Sequence, residues 1–329
     1  MRIAYFTDTY YPEINGVANT LSRLHQYLDC QGIEHIFFAP EYADEEQEGL
    51  RIARETGIPV VMSYHTNIEQ YLEYFHAKFL EKPVRAYFKH FHSYARLNLC
   101  PSMQTYRQLE AQGYRNLDVW TRGVDTVLYS PQKRQGTWRR QLGEDKFICL
   151  YAGRLSFEKG IDYYLEAIRR LNREGFGKDM IFAFAGDGPF RDTLEQCGID
   201  NVVTTGFVRG EMLAQLYADA DAFVFPSGTE TFGNVLLEAM ASGLACICTD
   251  EGGVTDFAVN GKNAIVTGYR QSDEIAEALM KLRTNPLLRE RLSMGALHTA
   301  KERSWDSVMA ELMRSYDRAL QGGMQSHAV

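Results

Sequence analysis

The run YAGRLSFEKG at residues 151–160 holds the residues best suited to chemistry. A strand-like stretch ends at Gly153, Arg154 and Lys159 flank a short loop, and a helical pattern opens near Gly160. Two cations beside a helix N-terminus make an anion site, because the unpaired backbone N–H groups and the helix dipole add to the side-chain charge. Arginine grips phosphate oxygens bidentately, and lysine supplies a point charge to a second phosphate. The plainer alternative for Arg154 and Lys159 is a pair of solvated surface cations.

Further along, PSGTETFGNVLLE at 226–238 places Glu230 and Glu238 eight residues apart. Glu230 falls in a loop after a strand, where a carboxylate can accept hydrogen bonds from sugar hydroxyls. The N–H groups of Phe232, Gly233 and Asn234 open the next helix and can face a phosphate. Glu238, two turns into that helix, is either an acceptor for a ribose diol or one more buried, capped carboxylate. Asp219-Ala-Asp221 spells the D-x-D that metal-dependent transferases use. It joins a helix end to a strand, however, where turns favour aspartate, and no metal is expected there.

Positioning these groups requires a scaffold, and period-2 and period-3.6 patterns alternate along nearly the whole chain. Strand-like runs at 3–7, 35–39, 60–64, 97–100 and 117–121 precede a polar stretch near 131–137. They resume at 147–151, 181–185, 202–204, 222–225, 245–248 and 264–266, with helical patterns between them. This order predicts an α/β protein of two Rossmann-like, doubly wound domains facing across a cleft.

The motifs Gly153-Arg154…Lys159-Gly160 and Glu230-x7-Glu238 resemble the retaining family 4 glycosyltransferases of the GT-B fold. So do the opening Phe6–Val17 segment, Ser63–Thr66, Arg122–Asp125, Ala185–Pro189, Gly206–Val208 and Glu251–Gly253, in this order. The likeness is greatest to the bacterial branch that uses GDP-mannose or UDP-sugars to build glycolipids. It implies that Arg154 and Lys159, after Gly153, hold a donor diphosphate. Glu238 would bind the ribose, Phe207 and Val208 would lie by the base, and Asp187 would join the donor site. Glu230, with the amides of Phe232 and Gly233, would address the sugar. Asn15 and Gly16 would approach a phosphate in the first domain, and His65, otherwise a hydrogen-bonded histidine at a strand end, would face the transferred sugar. Retention would follow from attack on the front face. No cofactor or metal is implied, only a nucleotide diphosphate sugar, GDP- or UDP-linked, and a lipid or glycan acceptor.

The expected division is 1–133, 134–304 and a C-terminal helix at 305–329 that returns to the first domain. The first domain is roughly fifty residues shorter near 41–49 than the resemblance implies, yet still of ordinary domain size. Alternatives are a sugar-nucleotide epimerase on the same fold and a shortened homologue that binds nucleotide without turnover. A phosphorylase would need a pyridoxal lysine site, for which there is no motif.

The 329 residues carry a net charge of −8, unevenly spread. Residues 1–50 hold 2 Lys+Arg against 9 Asp+Glu, whereas 51–140 hold 14 against 7. Within the basic block, Lys82, Arg85, Lys89, His92 and Arg96 step by 3, 4, 3 and 4, beside an aromatic stripe of Phe88 and Phe91. This is either an interfacial helix for an anionic membrane surface or an ordinary helix with a solvated face. The six scattered cysteines, with Cys246 and Cys248 read as alternating strand positions, suit buried thiols in a reducing cytoplasm. With no apolar run of membrane length and no signal segment, the expected location is cytoplasmic, peripheral on the inner membrane face. Nucleic acid is not an expected partner.

Overall fold

A computed structural model describes residues 1–7, 16–38, 45–64, 81–230 and 232–321. The chain forms two compact units, residues 1–122 with the chain from Trp305 on, and Gly123–Ser304. The first break falls at Arg122 and Gly123, earlier than 133. Val124 N–H donates to the Arg303 carbonyl at 2.9 Å, and the Tyr129 ring meets Tyr217 edge-on at 5.7 Å. Both contacts fasten the intervening segment to the second unit.

That second unit is built on β6 (Phe147–Ala152), β7 (Met180–Ala185), β8 (Val202–Gly206), β9 (Ala222–Phe225), β10 (Ala245–Thr249) and β11 (Ala264–Thr267). All pair in parallel, in the order β11-β10-β9-β6-β7-β8. Side chains alternate faces along a strand, and here both faces are covered. Ile148, Leu150 and Ala152 of β6 enter one core with Phe223 and Phe225. Phe147, Cys149 and Tyr151 enter the other with Phe182, Phe184 and Val224. The first core is closed by α5 (Thr137–Leu142), α8 (Gly210–Asp219), α9 (Asn234–Ala241) and α11 (Pro286–Glu302). The second is closed by α6 (Ile161–Arg173), α7 (Arg191–Glu195) and α10 (Ser272–Thr284). Cys246 and Cys248 are free, buried thiols on β10, as their alternation implied.

In the first unit β1 (Arg2–Phe6) pairs with β2 (Glu34–Phe38), and β3 (Val61–Ser63), β4 (Leu97–Cys100) and β5 (Leu117–Val119) form a second parallel set. Helices α1 (Gly16–Cys30), α2 (Glu45–Thr56), α3 (Glu81–His92) and α4 (Met103–Ala111) follow these strands in turn. One core joins both strand sets: Leu21, Leu24 and Leu28 of α1, Leu97 and Leu99 of β4, and Ile3 and Tyr5 of β1. The C-terminal helix α12 (Trp305–Gln321) packs Val308, Met309 and Leu312 into this core, and Ser315 and Arg318 both bond Asp118.

The expected cationic stripe is not continuous. α3 ends at His92, so Arg96 lies beyond it. His92 is buried and donates Nδ1–H to Asn98 Oδ1 at 2.8 Å, while burial lowers its pKa. Lys89 Nζ donates to the Gln112 carbonyl at 3.0 Å, and Arg96 to the Ala319 carbonyl at 3.1 Å. Both cations thereby serve carbonyls at helix ends. Lys82 stays exposed and Arg85 is half-buried. No helix among the described residues is long and apolar enough to cross a membrane.

Candidate active site

The winding of the six-stranded sheet reverses between β6 and β9, neighbours in space although β7 and β8 intervene in sequence. In open α/β sheets, ligands bind beyond the carboxyl ends of the strands at such a point. A pocket of about 330 Å³ opens there, lined by Gly153, Arg154, Glu158, Lys159, Glu230 and Val235 among others. Its volume is within the range of small-molecule sites.

The loops that frame it are held by main-chain bonds. Gly153 N–H donates to the Ala185 carbonyl and Leu155 N–H to that of Asp187, both at 2.9 Å, so the loops after β6 and β7 lie backbone against backbone. A Cβ on Gly186 would run into the Gly153 carbonyl oxygen. The buried Tyr151 donates its hydroxyl to the Arg154 carbonyl at 2.8 Å, fixing the main chain while the Arg154 side chain stands exposed. No hydrogen bond or ion pair to another described residue engages that guanidinium. A single turn at Phe157–Lys159 leads to Gly160, at φ +68°, and then to α6. Here too glycine is required, since a Cβ would strike the Pro226 carbonyl.

Lys159 and Glu230 meet in this pocket. Lys159 Nζ donates to Glu230 Oε1, with the two side chains 18% and 25% exposed. Bonds to main-chain carbonyls hold the two loops that carry them. The Glu230 carbonyl accepts from Gly253 N–H at 2.7 Å, and the Thr229 hydroxyl donates to the Glu158 carbonyl at 3.2 Å. Glu251–Gly253 therefore braces the acidic loop from behind.

The start of α9 contributes Val235 to the pocket lining. The Phe232 ring is buried against Phe257, with centroids 5.5 Å apart, so only its main chain can face a ligand. Gly233 caps α9 and Asn234, its first residue, is exposed. Glu238 is half-buried and lies outside the pocket lining, one turn beyond Val235. Tyr217 donates to its Oε2 at 3.2 Å, and Tyr129 bonds it as well. Burial outweighs both bonds and pushes the Glu238 carboxyl up to about 7. Neither tyrosine was picked out by sequence, because α8 and the 123–133 segment approach Glu238 only through the fold.

Phe207 follows the end of β8 and is 72% exposed, whereas Val208 packs against the core. Asp187 is exposed beyond β7 and accepts from Gly188 N–H at 2.9 Å. All of these lie past carboxyl ends of strands in the same sheet. Asn15 and His65 fall outside the described residues, and Gly16 is the first residue of α1.

The D-x-D carboxylates are occupied structurally. Asp219, fully buried, accepts from Gln135, Gly136 and Trp138 N–H groups at 3.2, 2.8 and 2.9 Å, capping α5. Asp221 Oδ2 accepts from Arg139 and from Ile148 N–H, each at 2.9 Å.

Family comparison agrees with this architecture. Residues 134–298 match the model for glycosyl transferases group 1, and residues 48–128 match that for glycosyltransferase family 4. The chain belongs to the glycosyltransferases of this group and adopts the GT-B class of fold. It is 26% identical over 379 residues to a GDP-mannose-dependent alpha-mannosyltransferase of Mycobacterium tuberculosis, covering 96% of each protein. That alignment exceeds the chain's own 329 residues, so it includes stretches with no counterpart here. Over 250 residues, 74% of the chain, it is 33% identical to the sulfoquinovosyl transferase SQD2 of Arabidopsis thaliana, and spans 47% of that protein's length. Among solved structures, Anabaena HepE in complex with UDP superposes with a TM-score of 0.77 at 18% identity, over 96% of this chain and 100% of that one.

Proposed function

We propose that this chain is a retaining, metal-independent hexosyltransferase that moves mannose or glucose from a GDP- or UDP-linked donor to a lipid or membrane-associated acceptor. The observation that carries this reading is the meeting of Lys159, Glu230 and the exposed Arg154 at the switch point of the six-stranded sheet. Similarity to a GDP-mannose-dependent enzyme over nearly its full length favours mannose and a guanine base.

On donor entry Lys159 exchanges Glu230 for a phosphate oxygen, and Arg154 takes the other phosphate. Glu230 is then free to accept from sugar hydroxyls. As the anomeric C–O bond to the diphosphate breaks, negative charge grows on the leaving group beside these cations, where it is stabilised. The acceptor oxygen bonds the anomeric carbon on the same face, and its proton passes to the departing phosphate. Glu238 is assigned to the ribose and Phe207 with Val208 to the base. His65 is assigned to the transferred sugar, and Asn15 with Gly16 to phosphate, on motif resemblance. The work would be done in the cytoplasm at the inner membrane face, where the exposed Lys82 can approach anionic lipid.

Transfer from labelled GDP-mannose and UDP-glucose to a membrane-lipid extract, followed by NMR of the product anomer, tests this. An α-linked product from an α-linked donor, formed equally in EDTA, is expected. An inverted anomer, or loss of turnover on chelation, contradicts it.

A further inference from the structure

In the first unit, far along the sequence from the donor-site motifs, His25, Asp29 and His35 bring three ligand-type side chains together. One donor atom from each lies within 4.8 Å of the other two. His25 and Asp29 sit one helical turn apart near the end of α1, and His35 is the second residue of β2. Of the reading for donor transfer, none of this is a part.

We infer that His25, Asp29 and His35 form a site for a divalent transition-metal ion of zinc's class. His35 Nε2 lies 3.0 Å from His25 Nδ1 and 3.8 Å from Asp29 Oδ1. Zinc bound tetrahedrally at its usual nitrogen and oxygen distances separates its ligands by about 3.3 Å, which these two values bracket. The other nitrogen of His35 is already committed: Nδ1–H donates to the Ile33 carbonyl at 2.7 Å. A neutral ring held this way turns the Nε2 lone pair toward the cluster, and a backbone carbonyl is a usual outer partner of metal-binding histidine.

The ligands are also held by rigid neighbours. Gly32 N–H donates to the Asp29 carbonyl and Ile33 N–H to that of Leu28, both at 3.0 Å, so a short turn fixes α1 against β2. Leu24 and Leu28 anchor this end of the helix in the core. Phe37 backs both imidazoles, with centroids 5.5 Å from His25 and 5.8 Å from His35. His35 is 6% exposed, while His25 and Asp29 are 46% and 62% exposed. The cluster is therefore closed on the protein side and open to water on the other, leaving a coordination position for solvent. Two imidazoles and one carboxylate suit zinc and its neighbours far better than magnesium or calcium, which take oxygen ligands. A bound ion would clamp the last turns of α1 to β2.

The three side chains can also simply bond one another with no ion present, and the experiment separates the two. The full chain is titrated calorimetrically with Zn²⁺ at pH 7.5, and Co²⁺ is added in parallel as an optical probe. His25→Gln and Asp29→Asn are compared, the first at a half-buried and the second at an exposed position, with thermal melts confirming that each variant folds. One equivalent of Zn²⁺, a tetrahedral Co²⁺ visible spectrum without a thiolate charge-transfer band, and affinity weakened about tenfold or more in each variant are expected. Equal affinity in wild type and variants overturns the site. So does a cobalt–thiolate band, which places the ion on a cysteine, or an absence of binding, which leaves the three side chains bonded only to one another.

Discussion

Lys159 and Glu230, 71 residues apart in the chain, form one ion pair at the point where the sheet's winding reverses. The pair links the loop that opens α6 to the loop that opens α9. Breaking a half-buried pair without compensation is costly, so each partner needs a replacement when a ligand enters. A sugar diphosphate supplies both, an anion for Lys159 and hydroxyl donors for Glu230.

The two members of the pair should therefore fail differently. Lys159→Ala is expected to lower kcat by about 10²–10³ and to weaken nucleotide binding, since it removes charge from the leaving group. Glu230→Gln should lower kcat while tightening, not weakening, affinity for the free nucleoside diphosphate, because Lys159 then has no carboxylate to give up. Steady-state kinetics beside calorimetry with the nucleotide alone reads both, and identical profiles would contradict the division of roles.

Arg154 offers a cleaner probe because its exposed side chain makes no hydrogen bond or ion pair among the described residues. Arg154→Ala should change stability by no more than about 0.5 kcal/mol, as for other uninvolved surface positions. Its nucleotide affinity should fall, and Arg154→Lys should restore only part, because the bidentate grip is lost. Thermal melts with and without ligand check both halves.

Glu238 imposes a pH dependence. Its folded value of about 7 lies above the ordinary 4.5, because burial disfavours the carboxylate. The favourable contribution of its protonated form is full below about 4.5 and is lost as pH rises through about 7. Glu238→Gln should accordingly shrink the stability difference between pH 5 and pH 8 by up to about 3 kcal/mol. If the carboxylate accepts from ribose, nucleotide affinity in the wild type should also rise with pH up to about 7 and level off above it. Denaturant melts and titrations across that range measure each effect.

Asp219 is expected to matter for folding alone. Asp219→Ala strands three N–H groups at the start of α5 and should cost on the order of 3 kcal/mol. Urea unfolding gives the loss. Turnover per folded molecule, with or without EDTA, should stay at the wild-type level, and metal-rescued activity would contradict this.

The sheet of the second unit was legible because its central strands are apolar on both faces and bounded by glycine or polar turns. Phe147–Ala152 and Ala222–Phe225 are such runs. Helix α11 is hard to read from sequence: Leu287 and Met294 are exposed while Ala296 and Thr299 are buried, so its apolar period is faint. Its start is capped by Asn285, whose Oδ1 accepts from Leu288 N–H at 3.0 Å, with Pro286 as the first helical residue. Motif spacing singled out Arg154, Lys159 and Glu230, which line one pocket, but not that the last two bond each other or that tyrosines hold Glu238. Those contacts join separate βα units, and no local period encodes them. The cationic stripe misled for a related reason, since helical spacing cannot show that Lys89 and Arg96 reach carbonyls of other helices.

The most direct test of the donor site is a thermal-shift titration of the wild type and Lys159→Ala against GDP, UDP and ADP and their mannose and glucose conjugates. Saturation at a hundred times Kd adds about 2.7 kcal/mol to the stability of a binding-competent fold. The account predicts that one guanine or uracil nucleotide stabilises the wild type and that Lys159→Ala loses the shift. Equal shifts in both proteins, or none with any nucleotide, would contradict it.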